Sequence, residues 1–177
     1  MRPFATFCLL AAMASAPALA APGARPPGPV EECGFCELHP GAADGLEWGA
    51  FAERFGVPDW DADPGRPIAP GGESWTGFVR RVDATLDAVV ARHPGELVVV
   101  ACHAGVVEAS LLAKVPVAGG LTGARLQLRT QHASLTTWEV DGGRWRLLGY
   151  NDGAHHLGRP GVGGEAPVVG AVGGQQA

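Results

Sequence analysis

Apolar residues in the middle of the chain recur at spacings that separate helices from strands. Leu46, Trp48, Phe51 and Phe55 fall near helical spacing and Gly56 can close the segment, which predicts a short amphipathic helix over 45–55. Trp75, Phe78, Val79, Val82, Leu86, Val89 and Val90 follow the i, i+3, i+4, i+7 pattern and predict the strongest helix of the chain, closed by Pro94 and Gly95. The run LVVVA at 97–101 has strand length and no polar member, so a strand buried on both faces is expected. A further helix is predicted over 106–113. Two alternating segments, 134–140 and 144–150, are joined by Asp141-Gly142-Gly143 and read as a hairpin at an antiparallel edge. The apolar stretch 4–12 is Ala-rich and helix-prone, a poor candidate for a buried strand.

Composition changes the picture at the two ends. The 177 residues set a prior of one domain, but 27 Gly and 15 Pro exceed ordinary usage. They gather at 21–30 and 158–177, neither of which has a helical or strand period. Residues 1–20 have the layout of a secretory signal peptide: Arg2, an apolar run, and Ala18-Leu19-Ala20 as a cleavage site. A GC-rich coding sequence of bacterial type, read from a wrong start or frame, would give a similar Ala and Pro tract. Lys114 is the sole lysine beside twelve arginines, which fits such coding. The chain thus divides into a signal-like or spurious segment 1–29, a partial domain 30–157 and a disordered Gly-rich tail 158–177. Secretion is expected if 1–20 is a true signal, and a cytoplasmic location if it is an artefact.

The net charge of -5 argues against a nucleic-acid partner, which needs a clustered basic footprint. The 1–20 segment is too short and too weakly apolar to span a bilayer, so no membrane partner is expected. Cys33-Gly34-Phe35-Cys36 has the spacing of a thiol redox pair, but no hydrophobic strand precedes it and no second such pair exists to build a zinc site. Incidental core cysteines are the expectation, and no metal is expected. His103 follows the 97–101 run and precedes a helix. It therefore stands where open α/β sheets bind ligands and where helix N–H groups attract anions. It is either a site residue or a histidine that only turns the chain.

Several stretches in order carry a specific resemblance. They are Pro70-Gly71-Gly72-Glu73-Ser74, then Phe78 with Arg80-Arg81-Val82, then LVVVACHAG at 97–105, then a hairpin ending Tyr150-Asn151-Asp152 with His155, His156 and Leu157. Together they resemble the histidine phosphatase superfamily, the phosphoglycerate mutase-like enzymes. Glu37, in CELHPGAADGLEW, looks like the acidic motif of that family. The resemblance implies an α/β fold, a three-layer α/β/α sandwich with a mostly parallel sheet. It also implies phosphoryl transfer through a phosphohistidine on a small phosphorylated substrate, without metal or cofactor. By carry-over, Glu37 is the general acid and His103 donates to the phosphoryl oxygens. Ala104, Gly105 and His39 are the expected substrate-binding positions. Cys102 and Ala104 stand where the family carries Ser and Gly.

The departure is at the amino end. The family's first strand ends in Arg-His-Gly, whose His is the nucleophile, and the chain has no such motif. Its one Arg-His pair, Arg92-His93, precedes Pro94 at a helix end. His39, His132, His155 and His156 lack a preceding Arg and read as surface or loop histidines. The expected architecture is therefore the family fold with its N-terminal strand missing, truncated by the gene model and poorly active. A secreted, non-catalytic phosphate-ester-binding relative is the alternative, and a Cys33–Cys36 thiol redox protein the third reading. Substrate identity and oligomeric state are not written in the sequence.

Overall fold

The computed structural model describes residues 5–11, 28–115 and 128–156. Its fold is mixed α/β. Among the described residues one sheet holds four strands, β1 (Ala5–Ala11), β2 (Leu97–Cys102), β3 (Leu135–Asp141) and β4 (Arg144–Asp152), in the order β2-β1-β3-β4. The α-helices among them are α1 (Trp48–Phe55), α2 (Trp75–Arg92) and α3 (Ala104–Lys114). The expected cleavage site at 18–20 and the tail 158–177 lie outside the described residues.

The helices follow the apolar periodicity. Ser74 opens α2 by accepting the Gly77 N–H on its hydroxyl at 3.1 Å, which satisfies one of the donors a helix start leaves free. From there Phe78, Val82, Leu86 and Val89 form one buried stripe. At its end the His93 N–H reaches the carbonyls of Val89 and Val90, and Gly95 turns the chain at φ 76°. The short α1 stops at Gly56, whose φ of 72° suits a residue without Cβ. It buries Phe51 against Ala43 and Ala69 in a small satellite cluster. Helix α3 begins two residues before the predicted start. Val106, Val107, Ala109, Ser110 and Leu111 are all buried, a face too broad to leave a narrow stripe that marks the first turn.

The sheet departs from expectation in four ways. First, an N-terminal strand is present: β1 pairs in parallel with β2 (Leu9 opposite Val100) and antiparallel with β3 (Leu9 opposite Thr136). Hydrogen bonding along both edges outweighs the helix propensity of Ala, which is only a weak prior. Second, the sheet is not mostly parallel, because β1·β2 is parallel and both β1·β3 and β3·β4 are antiparallel. Third, among the described residues β2 is an edge strand, and it is buried on one face only. Val100 and Cys102 are buried, whereas Leu97 is 69% and Val99 59% exposed. Fourth, it follows that among the described residues no second helical layer covers that face. The hairpin is as predicted, with Gly142 (φ 56°) and Gly143 (φ 82°) supplying the left-handed turn that matches strand twist.

The core lies between the covered face of the sheet and the α2–α3 pair. Phe78, Val82 and Leu86 meet Val106 and Val107, with Trp138 and Val140 of β3 beneath. Lys114, in the last turn of α3, ties this layer together. Its ammonium is 2.6 Å from Asp83 and 2.5 Å from Asp87 of α2, and 4.5 Å from the ring centre of Trp145 on β4. The side chain is only 8% exposed.

The position of β1 makes the amino terminus a structural element. A chain beginning at Ala21 lacks β1 and leaves facing edges of β2 and β3 unpaired. Such a chain is expected to lose its cooperative unfolding transition in circular dichroism, whereas the full chain keeps it. A shortened chain that melts as sharply as the full one would show that β1 is dispensable.

Candidate active site

His103 is the N-cap of α3, at the carboxyl end of β2. Its backbone is extended (φ -91°, ψ 165°), and its side chain is exposed and makes no capping bond to its own helix. Ala104 and Gly105 are the first two helical residues, so their amides belong to the group of N–H donors without intrahelical partners. Glu37 meets this terminus from the loop before α1. Its Oε2 accepts the Gly105 N–H at 3.2 Å, and its Oε1 accepts the Leu38 N–H at 2.9 Å. The approach requires glycine, since a Cβ on residue 105 would stand 2.3 Å from Glu37 Oε1. Glu37, His103, Ala104 and Gly105 are thus brought to one helix terminus.

His39 lies two residues beyond Glu37 with its side chain exposed. What the structure records for it is main-chain pairing. Its N–H donates to Glu73 Oε2 at 3.3 Å, and its carbonyl accepts the Glu73 N–H at 2.8 Å. The other histidines lie elsewhere in the chain. His93 pairs through Nδ1 with Glu96 at 3.0 Å, beyond the end of α2, and His132 and His155 are exposed. His156 falls in the short 3-10 turn Ala154–His156.

The residue that holds Glu37 in place is Arg81 of α2. Its Nε and Nη2 grip the Glu73 carboxylate at 3.0 and 2.7 Å. Nη1 donates to the carbonyls of Cys33, Gly34 and Cys36 at 3.3, 3.0 and 3.0 Å, and Nη2 also reaches the Glu37 carbonyl at 3.3 Å. One guanidinium therefore fixes the turn Cys33–Phe35 and the first residues after it. Gly34 lets that turn sit directly on α2, because a Cβ there would lie 2.1 Å from the Thr85 hydroxyl. Arg81 and Glu73 are present in the sequence stretches quoted above, but no spacing rule predicts that residues eight apart clamp a turn more than forty residues upstream.

The electrostatics around the terminus are those of a partly dry site. Burial, with the Glu37 charge adding, pushes the Cys102 thiol up to about 12, so the residue stays neutral. Burial likewise raises Glu108, one turn into α3, against the opposing hydrogen bond from the Thr130 N–H at 3.4 Å. The Glu37 charge adds to that rise and places a second carboxyl within electrostatic reach of the first. Thr130 also shares a 3.1 Å hydroxyl bond with Tyr150. Asn151, at φ 57°, accepts the Gln131 N–H at 2.7 Å and donates to the Arg129 carbonyl at 2.9 Å. It thereby ties the end of β4 to the segment that runs past Glu108. Cys33 and Cys36 are exposed, which corrects the expectation of core cysteines, whereas Cys102 is buried. A turn docked by backbone carbonyls leaves its thiols facing out.

The fold is a mixed α/β one in which a carboxylate and an exposed histidine meet at a helix N-terminus. A family model for the histidine phosphatase superfamily (branch 1) matches residues 10–153, and the chain belongs to that superfamily. Among solved structures, YhfR of Bacillus stearothermophilus superposes with a TM-score of 0.52 at 19% identity, covering 69% of this chain and 60% of that one. The mycobacterial glucosyl-3-phosphoglycerate phosphatase gives a TM-score of 0.52 at 25% identity, covering 68% and 64%. The same protein in complex with VO3 gives 0.52 at 26%, covering 68% and 63%. The chain thus spans about three fifths of the length of these relatives. No curated protein matches it.

The Glu73–Arg81 pair has a defined pH signature. Burial opposes ionisation of Glu73, but the Arg81 guanidinium and the His39 N–H outweigh it and hold the carboxyl below its ordinary 4.5. A lowered carboxylate contributes stability that is present above its ordinary range and is lost as the pH falls through the lowered value. Glu73→Gln is expected to cost about 1–3 kcal/mol at neutral pH. In urea titrations the difference from the parent should shrink as the pH falls through the lowered Glu73 range, where the parent loses the same charge. A difference that persists unchanged into acid would refute this role.

Proposed function

We propose that this chain carries the acid-and-anion half of a histidine phosphatase site and binds small phosphomonoesters while hydrolysing them poorly. The observation that supports this is the meeting of Glu37 with the Gly105 N–H at the terminus where His103 is exposed. That terminus offers helix N–H groups and the positive end of a dipole to an anion. His103 adds a ring N–H for a phosphoryl oxygen. A protonated Glu37 is placed to give its proton to the departing ester oxygen.

The sequence contains no Arg-His-Gly, and its Arg92-His93 pair ends α2, where His93 engages Glu96. No covalent phosphohistidine forms without that nucleophile, and loss of one member of a cooperating catalytic unit costs on the order of 10^6 in rate in the best-measured protease. The exposed face of β2 at Leu97 and Val99 is the surface that a second helical layer would cover in a three-layer sandwich. A phosphate-ester binder with no turnover at all uses the same terminus and differs only in residual hydrolysis. The mycobacterial relative is described as acting on a phosphorylated glycerate glucoside, which fits a small phosphorylated ligand here.

Glu37 competes for the ligand's place. Its carboxylate already accepts from Gly105 and repels a phosphoryl group. Glu37→Gln should therefore tighten binding of inorganic phosphate about fivefold, the equivalent of about 1 kcal/mol. His103→Ala should weaken it by a similar factor. Amide shifts of Gly105 during a phosphate titration report both effects. Hydrolysis of an aryl phosphate should be no more than a slow residual rate in the parent; rapid turnover that disappears in His103→Ala would show an active enzyme instead.

A further inference from the structure

Cys33 and Cys36 form a built feature that phosphate chemistry does not use. Their sulfurs lie 3.0 Å apart, one thiol donating to the other, and both residues are exposed. The turn between them is a single 3-10 turn, closed by the Cys36 N–H on the Cys33 carbonyl at 3.0 Å and opened by Glu32 accepting the Gly34 N–H at 3.4 Å. Arg81 holds three of its carbonyls, and Gly34 packs it against Thr85. The two thiols thus face each other on a turn fixed from behind, open to reagents in front. Among the described residues no third Cys, His, Asp or Glu joins them as a metal set, which favours thiol chemistry over metal binding.

We propose that Cys33 and Cys36 close reversibly to an intramolecular disulfide that acts as a redox clasp on the turn leading into Glu37. The oxidant is a small-molecule disulfide such as oxidised glutathione. The Cys33 thiolate attacks one sulfur of that disulfide, forming a mixed disulfide and releasing one glutathione thiolate. Cys36 then loses its proton, its sulfur attacks that of Cys33, the mixed bond breaks and a second glutathione leaves. Two thiol protons and two electrons pass to the oxidant, giving two glutathione thiols. The hydrogen bond shared with Cys33 raises the Cys36 thiol, so the sequence of steps opens on Cys33. Cys36 directly precedes Glu37, so the clasp tightens the same main chain that Arg81 holds. This device stands on the geometry of the turn and is independent of any phosphate binding.

The full chain, equilibrated in glutathione buffers from reducing to oxidising and then alkylated under denaturing conditions, reads the bond directly by peptide mass. The expected product is a Cys33–Cys36 link that reverses with excess reduced glutathione, while Cys33→Ser and Cys36→Ser each give a single glutathione adduct. Hydrogen exchange of the amides of Cys36, Glu37 and Leu38 should slow about fivefold on oxidation of the parent, and stay unchanged in both serine variants. Two thiols that remain free in excess oxidised glutathione, a reaction that halts at the mixed adduct, or a link mapped to Cys8 or Cys102 would each overturn the proposal. So would a disulfide that leaves the exchange of these amides unaltered.

Discussion

The Arg81 guanidinium is the fixed point from which the site is assembled. It comes from the buried-face helix α2 and is held by a two-point bond to Glu73, itself just before the Ser74 cap of the same helix. Its remaining N–H groups are spent on carbonyls that would otherwise need water or a regular ladder. A loop with little secondary structure of its own thereby gains the rigidity of a helix. The Glu37 carboxyl is delivered to α3 only because its main chain is tethered a few ångströms behind. Lysine could not do this, since one ammonium cannot serve a carboxylate and several carbonyls in a planar fork.

A second constraint comes from α3. It is buried over a broad face, so its axis has little freedom, and its N-terminus lies where β2 ends. The charge of Glu37 rests on that terminus, and the neutral Cys102 and the raised Glu108 mark how far water is excluded around it. The Thr130–Tyr150 and Asn151 bonds close the opposite side. Site and core therefore share their supports, and a change at the terminus is felt in the packing beneath it.

Much of this was legible in the residues. The stripe from Trp75 to Val90, the Asp141-Gly142-Gly143 turn and the His103 position between strand and helix follow from period and turn chemistry. The resemblance assigns Glu37 and His103 to one site, but nothing in local spacing joins residues 37 and 105. What misled was propensity without partners. The 5–11 segment forms a strand because β2 and β3 offer it two edges, which no reading of its own composition reveals. The apolar run of β2 suggested burial on both faces, yet it borders the sheet and shows Leu97 and Val99 to solvent. Arg81 was invisible as an organiser because its partners are main-chain carbonyls, which carry no sequence identity.

The chain has one ε-amine. Lys114 is enclosed by Asp83, Asp87 and the Trp145 ring and almost hidden from solvent. Acylation, carbamylation and conjugation through an isopeptide bond all need a neutral, reachable amine. In the folded protein Lys114 is withdrawn from these reagents, so its labelling reports the opening of the α2–α3 layer.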